Sequence, residues 1–158
     1  MDFNTYTISV RGIFKNRLEV YQDDVLIYLA KSTSIFKNQY VVFDEQDQEV
    51  LRIKQKIGFF KLKYLLIENG YEFGQIVKSS LENQLQCYGD MQAYSVKGNF
   101  LHTQYDIFLE DEQVGKVSRK IFRMKKSYGI AVQADVDELE VISLCLVLAI
   151  INVIRQSS

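Results

Sequence analysis

Residues 139–154 are apolar on nearly every face, whereas the chain before them alternates apolar and polar positions in short runs broken by acidic or Asn-Gly turns. A period of two marks strands with one buried face. The clearest run is Tyr105-Asp106-Ile107-Phe108-Leu109, then the turn Glu110-Asp111-Glu112-Gln113, then Val114-Gly115-Lys116-Val117-Ser118-Arg119-Lys120, which predicts a β-hairpin. The same skeleton returns in Tyr64-Leu65-Leu66-Ile67, Glu68-Asn69-Gly70 and Phe73-Gly74-Gln75-Ile76-Val77-Lys78. A leading tyrosine, an apolar-Gly pair and a basic residue recur at matching offsets. A third copy runs from Tyr40 through residues 44–48 to Val50-Leu51-Arg52-Ile53-Lys54, without the glycine. The connecting segments 56–64 (KIGFFKLKY) and 120–128 (KIFRMKKSY) are equal in length. Repeated strand-rich units of this kind predict an up-and-down antiparallel sheet. Less regular hairpins flank them: Arg17 to Leu29, turning at Asp23-Asp24, and Met91 to Lys97, turning at Gly98-Asn99 towards Tyr105. Ten or more short strands fit before Asp135, and with no proline in the chain none is interrupted by one.

The apolar stretch predicts a helix over about 137–155. Thirteen of the 16 residues from Leu139 to Ile154 are apolar, interrupted by Glu140, Ser143 and Asn152. At about 1.5 Å per residue that stretch reaches roughly 24 Å, short of the ~30 Å hydrocarbon core, so a buried helix fits better than a membrane anchor. Asp135 with Glu138, or Asp137 with Glu140, supplies the spacing of a capping box. A helix apolar all round needs walls all round. The expected fold is therefore mainly β (α+β), a closed antiparallel barrel of ten or more strands around a central hydrophobic C-terminal helix. No linker or composition shift marks a boundary, and a single domain over residues 1–158 is expected.

The Tyr-led hairpin, the run from Val114 to Lys120, the strand Tyr128-Gly129-Ile130-Ala131-Val132 and the terminal stretch from Asp137 to Ile154 together resemble the LURP-one-related family. That family belongs to the tubby C-terminal-like superfamily, to which phospholipid scramblases are also related. The resemblance spans nearly the whole chain and implies a twelve-stranded barrel threaded by its C-terminal helix. Tubby proteins bind membrane phosphoinositides through a cationic surface. No matching lipid-binding motif, and no acidic cluster like the calcium segment of scramblases, stands in this sequence, so no residue role carries over.

Charge changes the picture through its distribution. Nineteen Lys and Arg oppose 20 Asp and Glu, which gives no reason to expect a general nucleic-acid binder. Yet 11 of those 19 cations fall in two acid-free stretches, Arg52 to Lys63 and Lys116 to Lys126, while acids gather in the intervening turns. In an up-and-down barrel this arrangement places acidic turns at one end and basic connections at the other. The candidate anion-binding residues are Lys56, Lys61, Lys63, Lys120, Arg123, Lys125 and Lys126, with Phe59, Phe60, Phe122 and Met124 as candidate membrane contacts. Cations interleaved with large apolar side chains suit an anionic membrane surface or an acidic partner. The competing reading is that the cations form an ordinary solvated face and that Phe59 or Phe122 plugs the barrel end. The leading tyrosines Tyr40, Tyr64, Tyr105 and Tyr128 are read as structural, with rings packed inward and hydroxyls kept wet.

Catalytic chemistry is sparse. His102 is the sole histidine, and Cys87 and Cys145 lack metal-ligand spacing; Cys145 reads as a small buried hydrophobe. No nucleophile elbow, Walker loop or dinucleotide fingerprint occurs. The start, Met1-Asp2-Phe3-Asn4-Thr5, has neither the basic region nor the apolar run of a secretory signal. These features predict a cytoplasmic, non-catalytic binding or scaffold module without a cofactor or transmembrane span, peripheral at a membrane, that docks to anionic phospholipid or an acidic ligand. The alternative is a protein-interaction module using an exposed barrel face, and a carboxylate-based hydrolase ranks behind both.

Overall fold

A computed structural model describes residues 2–12, 16–32, 38–79, 84–99, 104–122 and 125–157, with side chains omitted at 99, 119–122, 125–126 and 153–157. Its strands are β1 (Phe3–Arg11), β2 (Arg17–Gln22), β3 (Val25–Ser32), β4 (Gln39–Phe43), β5 (Glu49–Ile57) and β6 (Lys61–Glu68). The second half holds β7 (Tyr71–Ser79), β8 (Gln84–Gly89), β9 (Tyr94–Asn99), β10 (Gln104–Leu109), β11 (Glu112–Phe122) and β12 (Lys125–Gln133), followed by α1 (Glu138–Ser157). Each strand pairs antiparallel with its neighbours in sequence. β1 closes the ring on β12, from Phe3 opposite Gln133 to Ser9 opposite Ser127. The result is a closed twelve-stranded barrel.

The repeated hairpins share more than sequence. Asp23-Asp24, Asn69-Gly70 and Glu110-Asp111 all have positive φ at both turn positions, the backbone that two-residue hairpins use to match strand twist. Register shifts next to these turns lie at Val20/Tyr21, Leu66/Ile67 and Ile107/Phe108, and the β4–β5 hairpin has one at Val42/Phe43. Bulges increase local twist and curl a sheet towards closure. The repeated apolar-Gly pair follows from crowding: a Cβ on Gly115 would stand 2.9 Å from the Ala131 carbonyl oxygen. Gly98 and Asn99 belong to β9 rather than to a turn, because Gly98 pairs with Tyr105 at the close approach of β9 and β10. The connection beyond them falls outside the described residues.

Helix α1 runs inside the barrel. Residues 141–152 are all buried, more than three turns, so the wall covers every face. Its polar interruptions are satisfied, both within the helix and by the wall. Ser143 Oγ donates to the Leu139 carbonyl at 2.6 Å, and Asn152 Nδ2 donates to the Leu148 carbonyl at 2.8 Å and to the Tyr105 hydroxyl at 2.9 Å. Asp137 is the N-cap, its Oδ1 accepting from the Glu140 amide at 3.0 Å. The reciprocal half of a capping box is absent from the described contacts. Instead the Glu138 carboxylate accepts from the Tyr6 and Tyr28 hydroxyls at 3.0 and 2.9 Å, and Glu140 accepts from Tyr94 at 3.0 Å. These bonds tie the first helical turn to β1, β3 and β9. No helix among the described residues is long and apolar enough to cross a membrane.

The four leading tyrosines line the interior near the opposite end, and here one expectation is corrected. Tyr40, Tyr64, Tyr105 and Tyr128 are at most 2% exposed, so their hydroxyls are enclosed rather than wet. Tyr105 accepts the Asn152 bond, whereas the Tyr40 and Tyr64 hydroxyls have no hydrogen-bond partner among the described residues. Burial pushes the Tyr40 phenol up to about 12 and Tyr64 higher still. Both cysteines are buried and free, and burial pushes the Cys87 thiol up to about 12. Cys145 sits fully inside as a small hydrophobe.

Candidate functional site

Because strand direction alternates, every connection after an even-numbered strand opens at one end of the barrel and every connection after an odd-numbered strand at the other. The even set carries Asp23, Asp24, Asp44, Glu45, Asp47, Asp90, Glu110, Asp111, Asp135 and Asp137. Within it the Asp44 carboxylate accepts from the Gln46 and Gln48 amides at 2.9 and 3.0 Å, holding that turn's shape. The hairpins β5–β6 and β11–β12 close at the other end. The two ends therefore differ in charge.

At the β5–β6 rim, Lys56 stands opposite Lys63 across the ladder, and Ile57 opposite Leu62. Like charges directly opposite each other destabilise a sheet, so this pair is not accounted for by folding energy. Lys56 and Lys61 are exposed, Lys63 is half-buried, and none of the three forms an ion pair with a described residue. Arg52 lies outside the group: it bonds Glu49 in a forked pair at 2.8 and 2.9 Å, which holds the Glu49 carboxyl below its usual range. The Gly58 amide donates to the Lys61 carbonyl at 2.8 Å and closes a short loop. That loop carries Phe59 and Phe60 outwards. Phe59 is 98% exposed, Phe60 66% and neighbouring Ile57 74%, with the two rings 6.0 Å apart. Phe59 does not plug the barrel.

Behind the two rings lies a cavity of about 250 Å³ lined by Gly58, Phe59, Phe60, Lys61, Leu62, Lys78 and Ile151. Lys78 is the unexpected member. It occupies the inward row of β7 with Gly74 and Ile76, is 4% exposed, and its Nζ donates to the Ser79 carbonyl. Its signal in the sequence was a cation at an apolar position of the alternation.

The second basic hairpin is described by its backbone. Lys120 stands opposite Ser127, Ile121 opposite Lys126 and Phe122 opposite Lys125, while Arg123 and Met124 lie outside the described residues, as does His102. Six strand positions separate the two hairpins whichever way the ring is followed, so they face each other across the mouth. With strands ~4.8 Å apart and tilted ~40°, such a barrel is about 24 Å wide. Among the described residues no group of three or more His, Cys, Asp or Glu side chains could hold a metal ion.

Fold and rim define a helix-threaded antiparallel barrel that carries exposed aromatic rings and lysines at one end. The chain belongs to the LURP-one-related family, whose model matches residues 5–149. It is also similar to a protein from Arabidopsis thaliana of known X-ray structure, with a TM-score of 0.71 at 15% identity, covering 94% of this chain and 92% of that one. At that identity the likeness concerns the fold alone. No curated protein matches the chain.

Proposed function

We propose that the protein is a binding module that docks on an anionic membrane surface through the basic end of its barrel. The observation that carries this reading is the exposed pair Phe59 and Phe60 among Lys56, Lys61 and Lys63. Each exposed phenylalanine forgoes about 1.5–3 kcal/mol of burial, and insertion into a lipid interface restores part of it. Each lysine near an anionic leaflet adds about 1 kcal/mol. The opposing hairpin brings the backbone of Lys120, Phe122, Lys125 and Lys126 to the same end, a second leg for the proposed docking face, while Arg123 and Met124 lie outside the described residues. A protein partner on an exposed wall is the competing occupant, and salt separates the two. Contacts between exposed charges weaken steeply as ionic strength rises, whereas a packed apolar interface largely survives.

The test is vesicle flotation at low and moderate salt. Wild-type protein is expected to float with phosphatidylglycerol-containing vesicles at low salt, to lose them as salt rises, and to ignore pure phosphatidylcholine. The pair Lys56→Glu, Lys61→Glu is expected to weaken binding at least tenfold, and Phe59→Ser about tenfold. Failure of the wild type to bind anionic vesicles at low salt overturns the proposal.

A further inference from the structure

Membrane docking uses one end of the barrel and leaves exposed side chains at the other end without a role. Among the described residues every exposed large hydrophobic side chain lies in a connection or within two positions of a strand end. Ile57, Phe59 and Phe60 belong to the basic rim. Phe3, Val25, Leu26, Tyr71 and Tyr88 belong to the opposite rim, where the connections after even-numbered strands carry acids and neither Lys nor Arg. There Tyr71 is 67% exposed and stands opposite Glu68 in the ladder, and Val25 is 56% exposed beside Asp23 and Asp24. Apolar surface set among carboxylates does not suit an anionic leaflet, whose potential repels it. It suits a surface that is apolar and cationic at once.

Such a surface stands at the far end of the same molecule, where Lys56, Lys61 and Lys63 accompany Phe59 and Phe60. Like ends repel and unlike ends attract. The net charge of −1 adds little overall repulsion between copies. We propose that the protein self-associates head to tail, the acidic rim of one copy seated on the β5–β6 rim of the next, with Phe59 and Phe60 against Val25, Leu26 and Tyr71. Because the two rims lie at opposite ends of one barrel, the contact does not close on itself, and each added copy offers a fresh end. Area sets its strength. A barrel about 24 Å wide presents an end of about 450 Å², so each contact buries about 900 Å², below the roughly 1,200–2,000 Å² of stable complexes. The association is therefore weak and belongs to concentrated protein, while dilute protein meets vesicles as the monomer. A copy seated on the rim hides Phe59 and Phe60, so self-association and membrane docking exclude each other.

Analytical ultracentrifugation of the full chain without lipid tests this, and its result does not depend on membrane docking. Between about 10 µM and about 1 mM at low salt, the average mass of the wild type is expected to climb with no plateau at the dimer. It is expected to return to the monomer as salt rises. Lys56→Glu with Lys61→Glu, and separately Glu45→Lys with Glu68→Lys, are each expected to weaken association at least tenfold. Mixing the two variants is expected to restore it, because the acidic rim of the first still fits the intact basic rim of the second. Lys56→Glu sets a carboxylate opposite Lys63, so thermal melts of the first variant are expected to match or exceed the wild type, which separates lost association from lost folding. Phe59→Ser, at a position 98% exposed, is expected to weaken association about tenfold and keeps the test open if a charge variant does not fold. A wild type that stays monomeric at low salt overturns the inference. A plateau at the dimer means that like surfaces pair, and overturns it as well. Folded charge variants that remain monomeric when mixed overturn the match between the two rims.

Discussion

The enclosed tyrosine hydroxyls put the barrel's interior under residue-level strain that can be measured. A buried hydroxyl without a partner forfeits its hydration, at about 1–3 kcal/mol. Tyr64 is 0% exposed and its hydroxyl has no partner among the described residues, so Tyr64→Phe is expected to raise the thermal midpoint by about 2–4 °C. Tyr105→Phe removes the acceptor of Asn152 and is expected to lower the midpoint by a similar amount. Circular dichroism melts decide both, and a lowered midpoint for Tyr64→Phe would mean that the hydroxyl is bonded. Alkaline titration reads the same interior. Desolvation, aided by Glu138, raises the Tyr6 phenol to about 12, and burial raises Tyr40 to about 12, from the ordinary 10. Because the folded values exceed the unfolded ones, these groups stabilise the fold fully below pH 10, and that contribution fades as pH rises towards 12. Absorbance at the phenolate band should therefore show buried tyrosines ionising only as the circular dichroism signal collapses. Residue identity was legible in the sequence here, since the tyrosine repeat stood out. The fate of the hydroxyls was not, because it depends on where non-adjacent strands and α1 bring their polar atoms.

Among the elements, α1 and the hairpin turns follow most directly from local pattern. A run apolar on every face has no stable place in water, and a wall on all sides is its remedy. Leu146 lies at the centre of that run and is 0% exposed, so Leu146→Asp buries an unpaired charge and is expected to abolish cooperative folding, a loss of more than about 4 kcal/mol. A soluble, cooperatively melting variant would sink the central-helix architecture. The helix start shows the limit of local pattern. Asp137 caps as its spacing allows, and Asp137→Ala is expected to cost about 1 kcal/mol. Glu138 and Glu140, which the capping-box spacing singled out, reach instead to tyrosines on β1, β3 and β9. Those strands lie far off in sequence and meet the helix only once the ring has closed.

For the whole molecule, the separation of charge between the two ends sets how it would meet a membrane. Docking through the β5–β6 end predicts an asymmetric response to charge reversal. Glu45→Lys with Glu68→Lys, at the acidic end, is expected to change low-salt vesicle binding by less than about twofold. Reversal at Lys56 and Lys61 weakens it at least tenfold. Equal effects at both ends would mean that net charge, not orientation, governs the interaction. The direction of this polarity was already present in the alternation of acidic turns and basic connections. The depth of the site was not. Lys78 entered the mouth because β7 turns that residue inwards beside Ile151, and Phe59 left the core because the Gly58–Lys61 bond folds the loop away from it.

What the amino-acid sequence by itself determined is whatever repeats over a few residues: the period of two in the strands, the positive-φ turns at Asp23-Asp24, Asn69-Gly70 and Glu110-Asp111, the all-apolar helix, and the alternation of charge between connections. Such features depend on backbone sterics and on which side of a strand meets water, and both act locally. Tertiary structure alone decided that the two basic hairpins oppose each other across the mouth, that the tyrosine hydroxyls are enclosed, and that a buried lysine meets two exposed phenylalanines around one cavity. Those relations join residues from separate hairpins and from the helix, and only closure of β1 on β12 around α1 brings them together.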